Sequence, residues 1–142
     1  MLSADAVQDN LVEFFRHFAR TRSTGQIVEL DGVSVASSGT AFHMFNAAFL
    51  STPVSGSEEL ERRILLGSEV LGSDGARWAF WACEAKMCGR AAAAASRLFR
   101  RNGLMPALRH PGMACQQLQL PKRRTPELEI RPVVDAADRA AF

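Results

Sequence analysis

The alternation of apolar and polar positions divides this chain into helix-like and strand-like segments. Val7, Leu11, Phe14, Phe15 and Phe18 follow the i, i+4, i+7, i+8, i+11 spacing of one helical face, which predicts a helix from Ser3 to Arg20. Ser3 suits the N-cap, Asp5 the positive end of the helix dipole, and Arg16, Arg20 and Arg22 the negative end. Two short apolar runs, Ile27 to Leu30 and Val33 to Ala36, flank Asp31-Gly32, a dipeptide that tolerates positive φ at both turn positions. A hairpin with that two-residue loop sets Leu30 opposite Val33 and Val28 opposite Val35. The segment Phe42 to Leu50 is apolar on both alternating faces and predicts a third strand covered on both sides.

Ser55-Gly56-Ser57-Glu58-Glu59 has the Ser-then-Glu spacing of a capping box, and Leu60, Ile64, Gly67 and Leu71 give the following helix a buried stripe. Arg77 to Cys83 carries large apolar groups on alternate sides and predicts a central strand. A third helix, Arg90 to Asn102, packs through Ala91, Ala94, Ala95, Leu98 and Phe99 and ends at Gly103. Strand-like segments follow around Met113 to Leu118 and at Leu128 to Arg131, separated by the Pro/basic link Leu120 to Pro126. Strands alternating with helices, with a hairpin among them, predict an α/β (α+β) fold with a mixed sheet flanked by helices. No repeat of 20–50 residues is visible.

Composition narrows the function classes. With 142 residues the chain fits one domain; 47% hydrophobic and 23% charged residues are those of a folded protein, not a disordered one. No apolar run approaches the roughly 20 residues of a membrane-spanning helix, so no membrane partner is expected. Met1 to Asn10 lacks a basic stretch followed by an apolar core, and the three cysteines are odd in number. Together these predict reduced thiols in a cytoplasmic protein. The net charge of +2 hides an asymmetry: residues 1–84 sum to −5, residues 85–126 to +9 with no carboxylate, and residues 127–142 to −2. An acid-free stretch of that length can serve phosphates or an acidic partner. Much of it falls on the outer face of the third helix and on a linker, and only Phe99 interleaves with the basic residues, so a nucleic-acid or acidic-partner module ranks last among the readings.

Candidate chemistry is sparse. Cys83, Cys88 and Cys115 with three histidines do not form the two close ligand pairs of a structural zinc site, so no metal is expected. His17, flanked by Arg16 and Phe18 in the first helix, is read as a surface histidine, and His43 and His110 have no carboxylate nearby in sequence. No Gly-x-Ser-x-Gly elbow, Walker loop or His-Glu-x-x-His motif occurs, and no catalytic residue is assigned.

Several segments resemble a known family. Leu98-Phe99 ahead of Gly103-Leu104 is similar to the late helix of the GNAT N-acetyltransferase superfamily. The stretch from Trp78 and Trp81 through Gly103-Leu104 and His110-Pro111-Gly112-Met113-Ala114 to Leu118 resembles the N-terminal, degenerate half of tandem GNAT proteins. Phe45-Asn46, after Gly39 and Phe42, fits the aromatic-Asn pair of such halves. Leu128-Glu129-Ile130-Arg131-Pro132, followed by Asp135, looks like the opening strand and helix start of a second acetyltransferase domain.

The resemblance implies a GNAT-like, mostly antiparallel sheet in residues 1–120, with 121–142 as linker and start of a second domain. Catalytic members hold the pyrophosphate of acetyl-CoA on a Gln/Arg-x-x-Gly-x-Gly/Ala loop, where free amides and the helix dipole favour anions. Lys86-Met87-Cys88-Gly89-Arg90-Ala91 stands in that place: Gly89 and Ala91 match, Lys86 replaces the Gln/Arg, and Arg90 adds a positive charge. The chain has no tyrosine, so the general acid many members use on the leaving thiolate is missing. The expected function is therefore a non-catalytic N-terminal domain of a two-domain GNAT acyltransferase, binding no acetyl-CoA by itself. It would form one wall of the acceptor cleft through Phe45, Asn46, Trp81 and Met113. Its partner would be a C-terminal catalytic GNAT domain or a second subunit acting on a small amine. The alternative is a complete small acetyl-CoA-dependent N-acetyltransferase that uses Lys86, Gly89, Arg90 and Ala91.

Overall fold

The computed structural model describes residues 3–73, 75, 77–113, 115, 117, 122, 132–134 and 136. Helix α1 (Ala4–Arg20) leads into the hairpin β1 (Gln26–Leu30) and β2 (Val33–Ser37), followed by β3 (Asn46–Leu50). Helix α2 (Ser57–Gly72), strand β4 (Ala79–Trp81) and helix α3 (Gly89–Arg101) complete the described elements. The sheet order is β1-β2-β3-β4. The first two pairings are antiparallel, and α2 crosses over so that β4 runs parallel to β3. The fold is a mixed α+β layer structure, as the pattern predicts, with α1 on one face of the sheet and α2 and α3 on the other. No helix among the described residues is long and apolar enough to cross a membrane.

The register of the hairpin is the expected one, Leu30 opposite Val33 and Val28 opposite Val35. Its turn differs: only Gly32 takes a positive φ (+77°), because Asp31 stays in the ordinary region. Alternation then sorts the side chains. Val33, Val35, Ala48 and Phe80 face α2 with Leu71, while Ala36, Ala47, Phe49 and Trp81 face α1 with Val12 and Phe15. Leu50, Leu60, Ile64, Ala91 and Leu98 form the seam between α2, α3 and the sheet. Gly67 lets α2 press on β3, since a Cβ there would stand 3.0 Å from that of Ala48. Each fully buried Leu, Ile or Phe contributes about 1.5–3 kcal/mol of transfer free energy.

Four expectations are corrected. The buried face of α1 is Gln8, Val12, Phe15 and Ala19, rotated from the predicted stripe, and Phe14 is exposed. The cause is tertiary: Phe15 packs 5.2 Å from Phe49, and the Gln8 Nε2 donates to the Leu50 carbonyl at the end of β3. The third strand starts only at Asn46, because His43–Phe45 forms a 3-10 turn and Ser38 N–H donates across it to the Phe45 carbonyl, 2.9 Å. The strand expected at Arg77 to Cys83 is three residues long, and among the described residues it pairs only with β3. The N-cap of α2 is Gly56, which has no side chain to cap with, and Glu59 in the first turn accepts from Arg62 and Arg63.

Gly103 ends α3 as expected, at φ +78°. Gly103 N–H donates to the Arg100 carbonyl (3.0 Å) and Leu104 N–H to that of Phe99 (2.9 Å), which closes the terminal turn. Of the strand expected around Met113 to Leu118, the described residues Met113, Cys115 and Gln117 are not in strand. The expected strand Leu128 to Arg131 lies outside the described residues, as does all of the expected second-domain opening except 132–134 and 136.

Candidate functional site

The loop before α3 is built from the C-terminal ends of the parallel strands. Beyond β3, residues 51–56 run beside residues 86–89, joined by a parallel bridge between Val54 and Met87. Val54 N–H donates to the Lys86 carbonyl (2.8 Å), Cys88 N–H to that of Val54 (3.0 Å), and Ala91 N–H to that of Ser55 (2.9 Å). Lys86 is 7% exposed and its Nζ lies 2.9 Å from Asp5 Oδ1 in the first turn of α1. Gly89 takes φ +53° at the helix start, where a Cβ would meet the Ser55 carbonyl at 3.4 Å. Arg90 is exposed and has no ion-pair partner among the described residues. Gly89, Arg90 and Ala91 therefore sit together at one helix N-terminus, while Lys86 is drawn inward to Asp5. Two amides, those of Gly89 and Arg90, are left without an acceptor among the described residues. A diphosphate needs several convergent amides; two free N–H groups and one guanidinium offer less than that.

Of the four expected cleft residues, Phe45 and Trp81 lie on the α1 side of the sheet and Asn46 on the other. Phe45 stacks on Phe18 of α1, with ring centroids 4.8 Å apart. Trp81, on the α1 face of the sheet, lies between Phe15 (5.6 Å) and His110 (5.7 Å). Asn46 occupies an alternate position and faces α2; it is 2% exposed. Its Nδ2 donates to the carbonyls of Thr40 (2.8 Å) and Arg77 (3.2 Å), and its Oδ1 accepts from the Ser37 hydroxyl (2.9 Å). Those bonds occupy the amide in tying β2, the bend before β3 and the entry to β4. Met113 is 85% exposed, just beyond Gly112, which approaches α1 so closely that a Cβ would stand 2.9 Å from Val7 Cγ1.

Sequence reasoning missed a polar groove of about 250 Å³ beside α1. Gln8, Asp9, Val12, Glu13 and Arg16 form its wall, and Ser34 of β2 and Ser51 after β3 its floor. Arg16 organises one end: Nη1 lies 2.6 Å from Glu13 Oε1, and Nη2 pairs with Glu29 and donates to Ser34 Oγ at 3.1 Å. Ser34 in turn donates to Glu29, 2.9 Å. Hydrogen bonds from Arg16 and then Arg20 hold the Glu13 carboxyl below the usual range, and the Glu13 bond raises the Arg16 guanidinium. The i, i+4 spacing of Asp9 with Glu13, and Arg16 three residues on, was the available sequence signal.

A second network clamps the hairpin to α2. Arg63, 7% exposed, donates to the Thr52 carbonyl (2.7 Å) and pairs with Glu59 (2.7 Å). Arg62 bridges Glu59 and Asp31, each at 2.8 Å. Hydrogen bonds from Arg62 and then Arg63 lower Glu59 to about 2. Among the described residues no group of three or more His, Cys, Asp or Glu side chains could hold a metal ion, and Cys83, Cys88 and Cys115 are free thiols.

No protein-family model, no curated protein and no solved structure matches this chain.

Proposed function

We propose that the chain is a GNAT-like domain without a working coenzyme A site, acting as the supporting half of a two-domain acyltransferase. The observation that carries this reading is the closure of the loop before α3: the Ala91 amide is bonded to Ser55 and the Lys86 ammonium is paired with Asp5. The element order, an antiparallel meander followed by a helical crossover to a parallel strand, supports the same reading, because it agrees with what the family resemblance implies. The absence of tyrosine removes the usual acid for the leaving thiolate. In this reading the aromatic cluster of Phe45, Phe18, Phe15 and Trp81 gives the α1 side its shape, and the acyl transfer itself belongs to a catalytic domain or second subunit working on a small amine.

Equilibrium dialysis against radiolabelled acetyl-CoA tests it. The domain alone retains no label above the protein-free chamber; one bound label per chain would favour a complete small N-acetyltransferase instead.

A further inference from the structure

Helices α2 and α3 cover one face of the sheet and present opposite charges to solvent. Outward on α2 stand Glu58, Leu65 and Glu69, at i, i+7 and i+11, opposite the buried Leu60, Ile64 and Gly67. Outward on α3 stand Arg90, Arg97 and Arg100, opposite the buried Ala91 and Leu98, and α3 carries no acid. All five of these charged side chains are exposed, and none has an ion-pair partner among the described residues. Arg62 leans from α2 toward the hairpin, bonded to Glu59 and Asp31. Leu65, 53% exposed, lies between the two glutamates.

Two contacts fix how the ridges lie beside each other. At the start of α3 the Ala91 N–H donates to the Ser55 carbonyl, 2.9 Å, and at its end Arg101 pairs with Glu61. Arg97 sits between those levels, so across the seam from it is the part of α2 that holds Glu58. An acidic ridge beside a basic one is a face complementary to itself. A two-fold axis along the seam lays α3 of one copy over α2 of the other, twice, and keeps every residue at its own level. An axis across the helices would stack α2 on α2 and α3 on α3, like charge on like.

We infer that this face pairs with the same face of a second copy of the chain, about a two-fold axis along the α2–α3 seam. Each Arg97 then meets the other copy's Glu58, and Leu65 is covered. A nucleic acid or acidic peptide would meet the arginines too, but the glutamates beside them repel it. The helices are about 24 and 20 Å long and about 10 Å wide each, a face of roughly 400 Å², half of what a standard interface buries per partner. The dimer is therefore weak, with a dissociation constant on the order of 0.1 mM at low salt.

Sedimentation equilibrium of the full chain, from roughly 10 µM to 1 mM, tests it. A monomer–dimer equilibrium is expected at ~25 mM salt, moving to monomer at ~500 mM as the charges are screened. Arg97→Glu and Glu58→Arg change exposed side chains, and each sets like charges together twice, weakening self-association about tenfold or more. A one-to-one mixture of the two variants returns to within about twofold of wild type, because both contacts of the mixed dimer again join opposite charges. A monomer at every concentration, single variants that pair as well as wild type, or a mixture no tighter than either variant would overturn the proposal. A monomer that binds poly(U) would overturn it too and give the arginine ridge to nucleic acid. None of these readouts involves acetyl-CoA, so they are separate from the test of the functional reading.

Discussion

Lys86 Nζ lies 2.9 Å from Asp5 Oδ1, and this ion pair joins the first turn of α1 to the loop before α3 across 81 positions of sequence. The two partners are unequally placed, for the Lys86 side chain is 8% exposed and that of Asp5 is 66% exposed. Removing Asp5 strands an ammonium inside the protein, whereas removing Lys86 leaves a carboxylate already in water. Asp5→Ala is therefore expected to lower the unfolding free energy by about 1–2 kcal/mol, and Lys86→Met by less than about 0.5 kcal/mol. Urea unfolding of both variants checks the order; an equal or reversed cost contradicts the buried position of Lys86.

Asn46 is expected to act through stability alone. Asn46→Ala leaves the Ser37 hydroxyl and the carbonyls of Thr40 and Arg77 without their partner, at a cost of about 2 kcal/mol. Denaturant unfolding at pH 7 measures it. A loss well under 1 kcal/mol would mean that the amide is free for another role.

Acid should weaken the clamp between the hairpin and α2. The pKa of Glu59 is depressed in the folded state, from the ordinary 4.5 to about 2. Its contribution is thus complete above the ordinary value and is lost as pH falls through the window from about 5 to 2. Stability measured at several pH values across that window should fall less steeply for Glu59→Gln than for the wild type. Parallel slopes would contradict the assignment.

The contact between α2 and β3 is already tight for a bare Cβ at position 67, which would stand 3.0 Å from that of Ala48. Gly67→Leu should cost about 1–3 kcal/mol by overpacking against Ala48 and Phe80. Gly75→Leu, where no atom lies within 4 Å of an added Cβ, is strained only by its positive φ (+66°). Thermal unfolding of the two separates crowding from backbone strain.

Much of this fold was legible because its helices are one-sided. Leu60, Ile64, Gly67 and Leu71, and Ala91 with Leu98, sit where a 3.6-residue period puts them, and the two-residue turn sets the hairpin register. What the sequence hides is decided by partners distant along the chain. Gln8 occupies the core face of α1 because it reaches the Leu50 carbonyl, and that rotation is what shapes the groove. The loop from Lys86 to Ala91 looks like an open phosphate cradle when read by residue type. The backbone of residues 51–56, some thirty-five positions earlier, takes up the amides of Cys88 and Ala91. No local pattern marks a residue whose amide is bonded to a distant loop.

The most direct test of the account is thermal unfolding of the domain with and without saturating acetyl-CoA. The two transitions should superimpose, and so should those of Gly89→Val measured against its own ligand-free control. A ligand that binds the native state at a hundred times its dissociation constant adds about 2.7 kcal/mol. A stabilisation of that size in the wild type, lost in Gly89→Val, would contradict the closed loop and make this chain a coenzyme A binder in its own right.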